Sequence, residues 1–328
     1  MRVLVSGATG FTGGHLARHL ATRGAAVRGL VRPRSRPRAA ALQEAGIEIV
    51  LGDLADDASL ARACDGVDTV YHIAATFRNA GQPDAAYRAV NALGTRALLD
   101  AALAAGVTRF VHCSTVGVHG HVERPPADED APLAPGDIYQ ETKLEGERLA
   151  RSVGTSGDME VVVARPAGIY GPGDTRFLKL FRGIAKRRFP LLGSGTVCYH
   201  FTYIDDLVEG FRLCGEAPVA AGRTYILAGR HYTPLTELVR VIADEVGVEP
   251  PRWRFPVWPV WAVGAMCEAV CVPLGVEPPL YRRRVDFFVK NRAFDMARAR
   301  RELGFSPAID LVEGVRRTAD WYRREGLL

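Results

Sequence analysis

The stretch VLVSGATGFTGG, residues 3–14, decides how this chain is read. Val3, Leu4 and Val5 form the short apolar run of a buried parallel strand. Gly7, Gly10 and Gly13 follow with the spacing G-x-x-G-x-x-G, and from Thr12 on HLARHLATRG predicts a helix that stops at Gly24. One glycine permits a tight turn, one lets backbone approach a pyrophosphate, and one lets the helix pack closely on the strand. Phosphates would sit at the helix N-terminus, where unpaired N–H groups and the helix dipole favour negative charge. Gly7, Thr9, Gly10, Phe11, Thr12 and Gly13 are therefore the expected contacts of a dinucleotide. Three spaced glycines also fit a plain strand-to-helix turn; the strand before and the helix after favour the dinucleotide.

Outward from this turn, strands are predicted at 27–31, 46–51, 69–75, 109–114 and 160–164. Helices are predicted at 58–64, 85–105 and 139–153. Such alternation specifies an α/β fold, a Rossmann-type doubly wound parallel sheet over residues 1–165. Residues 166–328 are expected to form mainly a smaller C-terminal substrate lobe, with some segments returning to the sheet. Helices fit 203–214 and 234–246, and Pro218–Gly222 reads as a linker.

The 328 residues are 48% hydrophobic, enough for a sizeable core, and carry a net charge of +5. Five arginines fall within Arg28–Arg38 and three more within Tyr281–Arg284. The balance is too mild for a nucleic-acid binder, and anionic small molecules are the better match. The six cysteines show no metal-ligand spacing and read as small buried hydrophobes. The first strand begins at Met1, so a cytoplasmic location without a signal peptide is expected. Phe255–Cys267 is apolar for 13 residues, too short to span a bilayer. It fits core, a substrate lid or a peripheral membrane-surface patch. Pro256 and Pro259 argue against a helix before about Val260.

Dinucleotide sites often place an acid at the end of the second strand for the ribose, or an arginine for a 2′-phosphate. This chain reads Leu30-Val31-Arg32-Pro33-Arg34, with no acid, so NADP is favoured over NAD. Asp53 and Leu54 flank the expected adenine site. His72–Ala75, including Ala74 and Ala75, should run along the pyrophosphate side. Ser114 and Thr115 end the fifth strand, where open α/β sheets hold their ligands. Tyr139 and Lys143 are four residues apart, on one helical face. A nearby ammonium favours the phenolate, so Tyr139 is a candidate acid/base.

G-x-x-G-x-x-G at 7–13, GDL at 52–54, His72-Ile-Ala-Ala75, Asn91-x-x-Gly-Thr95 and CSTVGVHG at 113–120 form a specific set. So do Tyr139-x-x-x-Lys143, Arg165-Pro166 with IYGPGD, Tyr203-Ile-Asp-Asp206 and FDMARARRELGF at 294–305. Over nearly its whole length the chain resembles the extended short-chain dehydrogenase/reductases of the NAD-dependent epimerase/dehydratase superfamily. The resemblance implies hydride transfer between a secondary alcohol carbon and nicotinamide. It assigns Thr115 as catalytic hydroxyl, Tyr139 as acid/base and Lys143 as its partner. Ser114, Pro166 and Ile169 would lie near the nicotinamide, and Asn91 on the cofactor side. It also implies a homodimer built by the helices of 85–105 and 139–153.

Nucleotide-sugar members usually carry an arginine before the aromatic of the F-x-Y-I-D-D stretch; here it is His200, a weaker diphosphate ligand. Arg284 and Arg176 are candidate replacements, although 282–284 also fits a solvated face. Thr76, Thr115, Arg176, His200 and Arg284 are thus the expected substrate-side residues. The apolar 255–276 stretch resembles hydroxysteroid dehydrogenase relatives more than sugar enzymes. A small-molecule oxidoreductase is the main expectation, and a nucleotide-sugar epimerase or dehydratase retaining NAD the alternative.

Overall fold

The computed structural model describes all residues except 78–81, 252–253, 272, 275, 277 and 279–281, and the side chains of 282–284. Seven parallel strands form the central sheet: β1 (Arg2–Ser6), β2 (Ala26–Val31), β3 (Glu48–Leu51), β4 (Thr69–His72), β5 (Arg109–Cys113), β6 (Glu160–Pro166) and β7 (Thr224–Leu227). Their order is β7-β6-β5-β4-β1-β2-β3. The chain leaves β1 in one direction and returns beyond it at β4. The carboxyl ends of these two strands therefore make the crevice where such sheets bind ligands.

Each strand side chain chooses a face by the two-residue period. Val3 and Val5 join one apolar core with Leu16 and Leu20 of α1 (Phe11–Thr22) and with Phe211 of α5 (Ile204–Glu216). Leu4 joins the opposite core with Leu60 of α2 (Asp57–Cys64), Leu98 of α3 (Gly94–Ala104) and Ala150 of α4 (Ile138–Ser156). Both faces are covered, which explains the continuous apolar runs in the strands.

The second half rejoins the sheet. β7 pairs in parallel with β6, Thr224 opposite Val163. Leu238 and Ile242 of α6 (Leu235–Glu245) pack in the same core as Phe181 and as Val315 of α9 (Leu311–Arg324). Asp206 of α5 accepts from the backbone N–H groups of Ala308 and Ile309 at 2.8 and 3.0 Å, which holds the segment before α9 against α5.

Two expectations change. The helix expected over 85–105 is interrupted by a π-helical turn, Ala89–Leu93, which carries Asn91. The apolar segment begins as helix at Val257, giving α7 (Val257–Cys271), and α8 (Arg282–Val289) follows. Pro256 precedes α7 and Pro259 lies in its first turn, where proline removes no intrahelical hydrogen bond. Part of the arginine surplus is structural too. Arg28 is buried and donates to the carbonyls of Ala63 and Asp65 at 2.9 Å, at the C-terminal end of α2.

Candidate active site

The glycine turn is built by close approach. Gly7 has φ +71°, and a Cβ there would lie 2.9 Å from Cα and N of Ala74. At Gly13 a Cβ would lie 2.2 Å from the carbonyl oxygen of Gly7. Gly10 N–H closes the turn onto that same oxygen at 2.9 Å. Gly10 is also the N-cap of α1, and no side chain caps the helix there. Uncapped N–H groups beside a side-chain-free cradle fit a dinucleotide diphosphate. Thr9, Phe11 and Thr12 are half-buried around this turn.

A buried hydrogen-bond chain fixes the facing loop. The Thr95 hydroxyl donates to the carbonyl of Asn91 at 2.8 Å, so at 2.9 Å it must accept from His72 Nε2–H. His72 Nδ1 then accepts from Ser6 Oγ at 2.8 Å, and Ser6 Oγ accepts from the N–H groups of Ile73 and Ala74 at 3.1 Å. Burial, aided by Lys143, lowers the His72 pKa to about 3 and keeps it neutral. His72 thus faces the interior instead of running along the cleft, a correction to the sequence reading. Asn91 is also fully buried. Its amide clasps the Thr76 backbone, accepting from N–H at 2.8 Å and donating to C=O at 3.1 Å, and donates to Thr142 Oγ1 at 3.1 Å.

Ser114 and Thr115 follow β5, and α4 lies beside them. Asp137 caps α4 by accepting from Gln140 N–H at 2.9 Å. Tyr139 and Lys143 share a face of α4, with the Tyr139 ring edge-on to Phe77 at 4.9 Å between centroids. Lys143 is buried, and burial lowers its pKa against the opposing pull of Cys113 and Glu147. Thr115 Oγ1 accepts from Gly117 N–H at 3.0 Å, which leaves its hydroxyl proton available to a ligand oxygen.

One turn beyond Lys143, Glu147 anchors a network that the sequence reading missed. Ser114 Oγ donates to Glu147 Oε2 at 2.6 Å. Arg165 grips the same carboxylate through Nε at 3.1 Å and Nη2 at 2.5 Å. Arg165 Nη1 also donates to His119 Nε2 at 3.0 Å and to the carbonyl of Glu129 at 2.9 Å. Burial alone would raise the Glu147 pKa, but the bonds from Arg165 and Ser114 hold it below the ordinary carboxylate value. Two signals were present: Arg165 stands in a recognised motif, and 139, 143 and 147 form an i, i+4, i+8 stripe.

The remaining expected residues divide. Arg32 stands exposed past the end of β2, and burial, Arg34 and Arg38 lower its pKa while Asp53 opposes them. Asp53 Oδ1 accepts from Ala55 N–H at 3.1 Å, and Leu54 lies where a Cβ on Gly94 would collide at 2.9 Å. Ala75 is exposed on the loop after β4; Pro166 is buried at the end of β6. Arg176 donates to Asp174 Oδ1 at 2.7 Å and to the carbonyl of Ile169 at 3.0 Å. Its guanidinium lies 5.5 Å from the ring centroids of both Phe11 and Phe77, so it crosses from the glycine turn to the neighbour of Tyr139. His200 is buried, with Nδ1 3.1 Å from the carbonyl of Phe294 and Nε2 2.9 Å from that of Gly229. Both ring nitrogens thus face backbone rather than a substrate. The Arg284 side chain lies outside the described residues.

The chain belongs to the NAD dependent epimerase/dehydratase family, whose model matches residues 3–228. It is an extended short-chain dehydrogenase/reductase. It is 32% identical over 339 residues to a 3 beta-hydroxysteroid dehydrogenase/Delta 5-->4-isomerase of Mycobacterium tuberculosis, covering 98% of this chain and 90% of that one. It is 30% identical over 328 residues to a 2-alkyl-3-oxoalkanoate reductase of Stenotrophomonas maltophilia, covering 97% and 98%. Among solved structures, dTDP-glucose 4,6-dehydratase from Streptomyces venezuelae with NAD bound matches with a TM-score of 0.78, 26% identity and full coverage of both chains.

Proposed function

We propose that this protein is an NAD(P)-dependent oxidoreductase that moves a hydride to or from a secondary alcohol or ketone carbon of a fairly apolar molecule. The observation that carries the substrate class is His200, whose two ring nitrogens meet backbone carbonyls where a sugar-nucleotide enzyme would present a guanidinium. The hydroxysteroid dehydrogenase and oxoalkanoate reductase relatives support the same class.

The chemistry follows from the side chains. When bound, the nicotinamide supplies or accepts the hydride. Thr115 donates its hydroxyl proton to the substrate oxygen and orients it. Tyr139 takes the proton of the alcohol in oxidation and returns it to the developing alkoxide in reduction. The Lys143 ammonium, one turn along α4, stabilises the phenolate left when Tyr139 has given up its proton. Glu147 and Arg165 act through Ser114 and are positioning residues.

For the cofactor, Arg32 and Arg34 past the end of β2 support NADP over NAD. Arg32→Ala should raise the KM for NADPH about tenfold and leave that for NADH nearly unchanged. Equal effects on both would remove the 2′-phosphate role.

The second reading is a nucleotide-sugar epimerase or dehydratase with retained NAD, favoured by the match to the dTDP-glucose dehydratase. One experiment separates the two. The purified protein is mixed with NADPH or NADH and a panel of apolar ketones, and loss of the reduced cofactor is followed by absorbance. Net consumption supports the oxidoreductase. Co-purifying NAD with no net turnover, and conversion of a dTDP- or UDP-sugar, would replace it by the second reading.

A further inference from the structure

Among the described residues, α7 and the positions after it expose a run of large apolar side chains. Trp258 is 73% exposed, Met266 69%, Val270 61% and Leu274 71%, and Trp261 and Val276 are also exposed. Single exposed hydrophobics are ordinary, but a run of this size on one element marks an interaction surface. Gly264 is the sole buried residue of α7, and its one ionisable carboxylate, Glu268, is half-buried. At 15 residues, α7 is too short to cross a bilayer, and no described helix meets the length and hydropathy of a span.

Cations border this helix. The strand Arg254–Phe255 leads into α7 and pairs in parallel with Leu191–Leu192, which follows Lys186, Arg187 and Arg188. All four basic residues are exposed, and none forms an ion pair among the described residues. Arg316, by contrast, is matched by Glu313 and Asp320.

We infer that α7 lies in the surface of a membrane containing anionic phospholipid, with its tryptophans and Met266 at the acyl boundary and Lys186, Arg187, Arg188 and Arg254 against the headgroups. The tryptophans and aliphatic residues on the helix supply the apolar part of adsorption to a bilayer surface, and the unpaired cations on the flanking segments supply the attraction to anionic headgroups. A second copy of the chain fits less well, because a two-fold contact through this face would bring one basic rim towards the other. The inference does not depend on the redox reading.

The test is co-sedimentation of the full chain with phosphatidylcholine vesicles, with and without phosphatidylglycerol. Binding to the anionic vesicles is expected, weakened about tenfold by the double variant Arg187→Glu/Arg188→Glu and similarly by high salt. Trp258→Ser/Met266→Ser should reduce it as well, with circular dichroism and cofactor affinity as folding controls. Brominated lipid should quench the tryptophan fluorescence of the unaltered protein, which needs no variant. Absence of sedimentation with either vesicle would overturn the inference. So would binding indifferent to both double variants, or a solution dimer that Trp258→Ser/Met266→Ser converts to monomer.

Discussion

At Gly13 an added methyl group would sit 2.2 Å from the Gly7 carbonyl oxygen, closer than any real Cβ contact. Gly13→Ala must therefore open the turn that would hold the diphosphate. Overpacking of this kind costs about 1–3 kcal/mol. Titration of the variant with NAD(P)H should show affinity down more than tenfold. Gly24 makes the control, because its φ is +85° but nothing lies within 4 Å of its missing Cβ. Gly24→Ala should cost about 1 kcal/mol in urea unfolding and leave cofactor affinity unchanged. At Tyr139 the chemistry is tested directly. Tyr139→Phe keeps the ring against Phe77 and removes the transferable proton. Turnover should fall by about 10²–10⁴-fold with the cofactor Kd unchanged, and an undiminished rate would exclude the proton role.

Helix α4 carries the proposed acid/base pair, Tyr139 and Lys143, on one face. Tyr139 and Lys143 stand four residues apart, so the pair was legible as soon as the helix was, whereas Glu147, one turn further on, was passed over. Arg165 was not legible as their partner, because it reaches Glu147 from β6, and no local period reports a contact between elements. The π-helical turn escaped for a related reason. One extra residue at 89–93 leaves the apolar periodicity of 85–105 nearly intact. What the turn needs is a distant Gly146, where a Cβ would stand 2.3 Å from the Asn91 carbonyl oxygen. The glycine turn, by contrast, is local and was readable residue by residue. The buried Glu147–Arg165 pair makes a sharp prediction. Glu147→Gln keeps the shape and leaves the guanidinium uncompensated, which should cost about 3–5 kcal/mol of stability. Adding Arg165→Met should recover part of that loss in a double-mutant cycle on urea unfolding. Strictly additive losses would mean that the two side chains are not coupled.

Covering both faces of a seven-stranded sheet buries polar groups along with apolar ones, and four of them are histidines. His72, His112, His119 and His200 are at most 4% exposed. Burial lowers all four, His72 to about 3 and His200 to about 4. Among the described residues, neither ring nitrogen of His112 has a partner, so nothing in its surroundings compensates a charge there. An unfolded histidine takes up its proton near its ordinary value of 6.5, whereas these buried rings stay neutral until far lower pH. Between those limits the unfolded chain binds more protons, so stability rises with pH and is lost on acidification. Each such histidine contributes up to about 1.4 kcal/mol per pH unit. Burial raises Glu129 and Asp206 instead, and their contribution has the opposite sign, from the ordinary carboxylate value up to their raised folded one. The contribution of one histidine is therefore isolated by comparing the slope with and without that ring. Urea unfolding followed from about pH 7 to about pH 5 should show stability falling on acidification. His200→Gln should flatten that fall by up to about 1.4 kcal/mol per unit whatever it does to stability at neutral pH. An equal slope in the variant would mean that the His200 ring already carries its proton in the folded protein, shared between its two carbonyls.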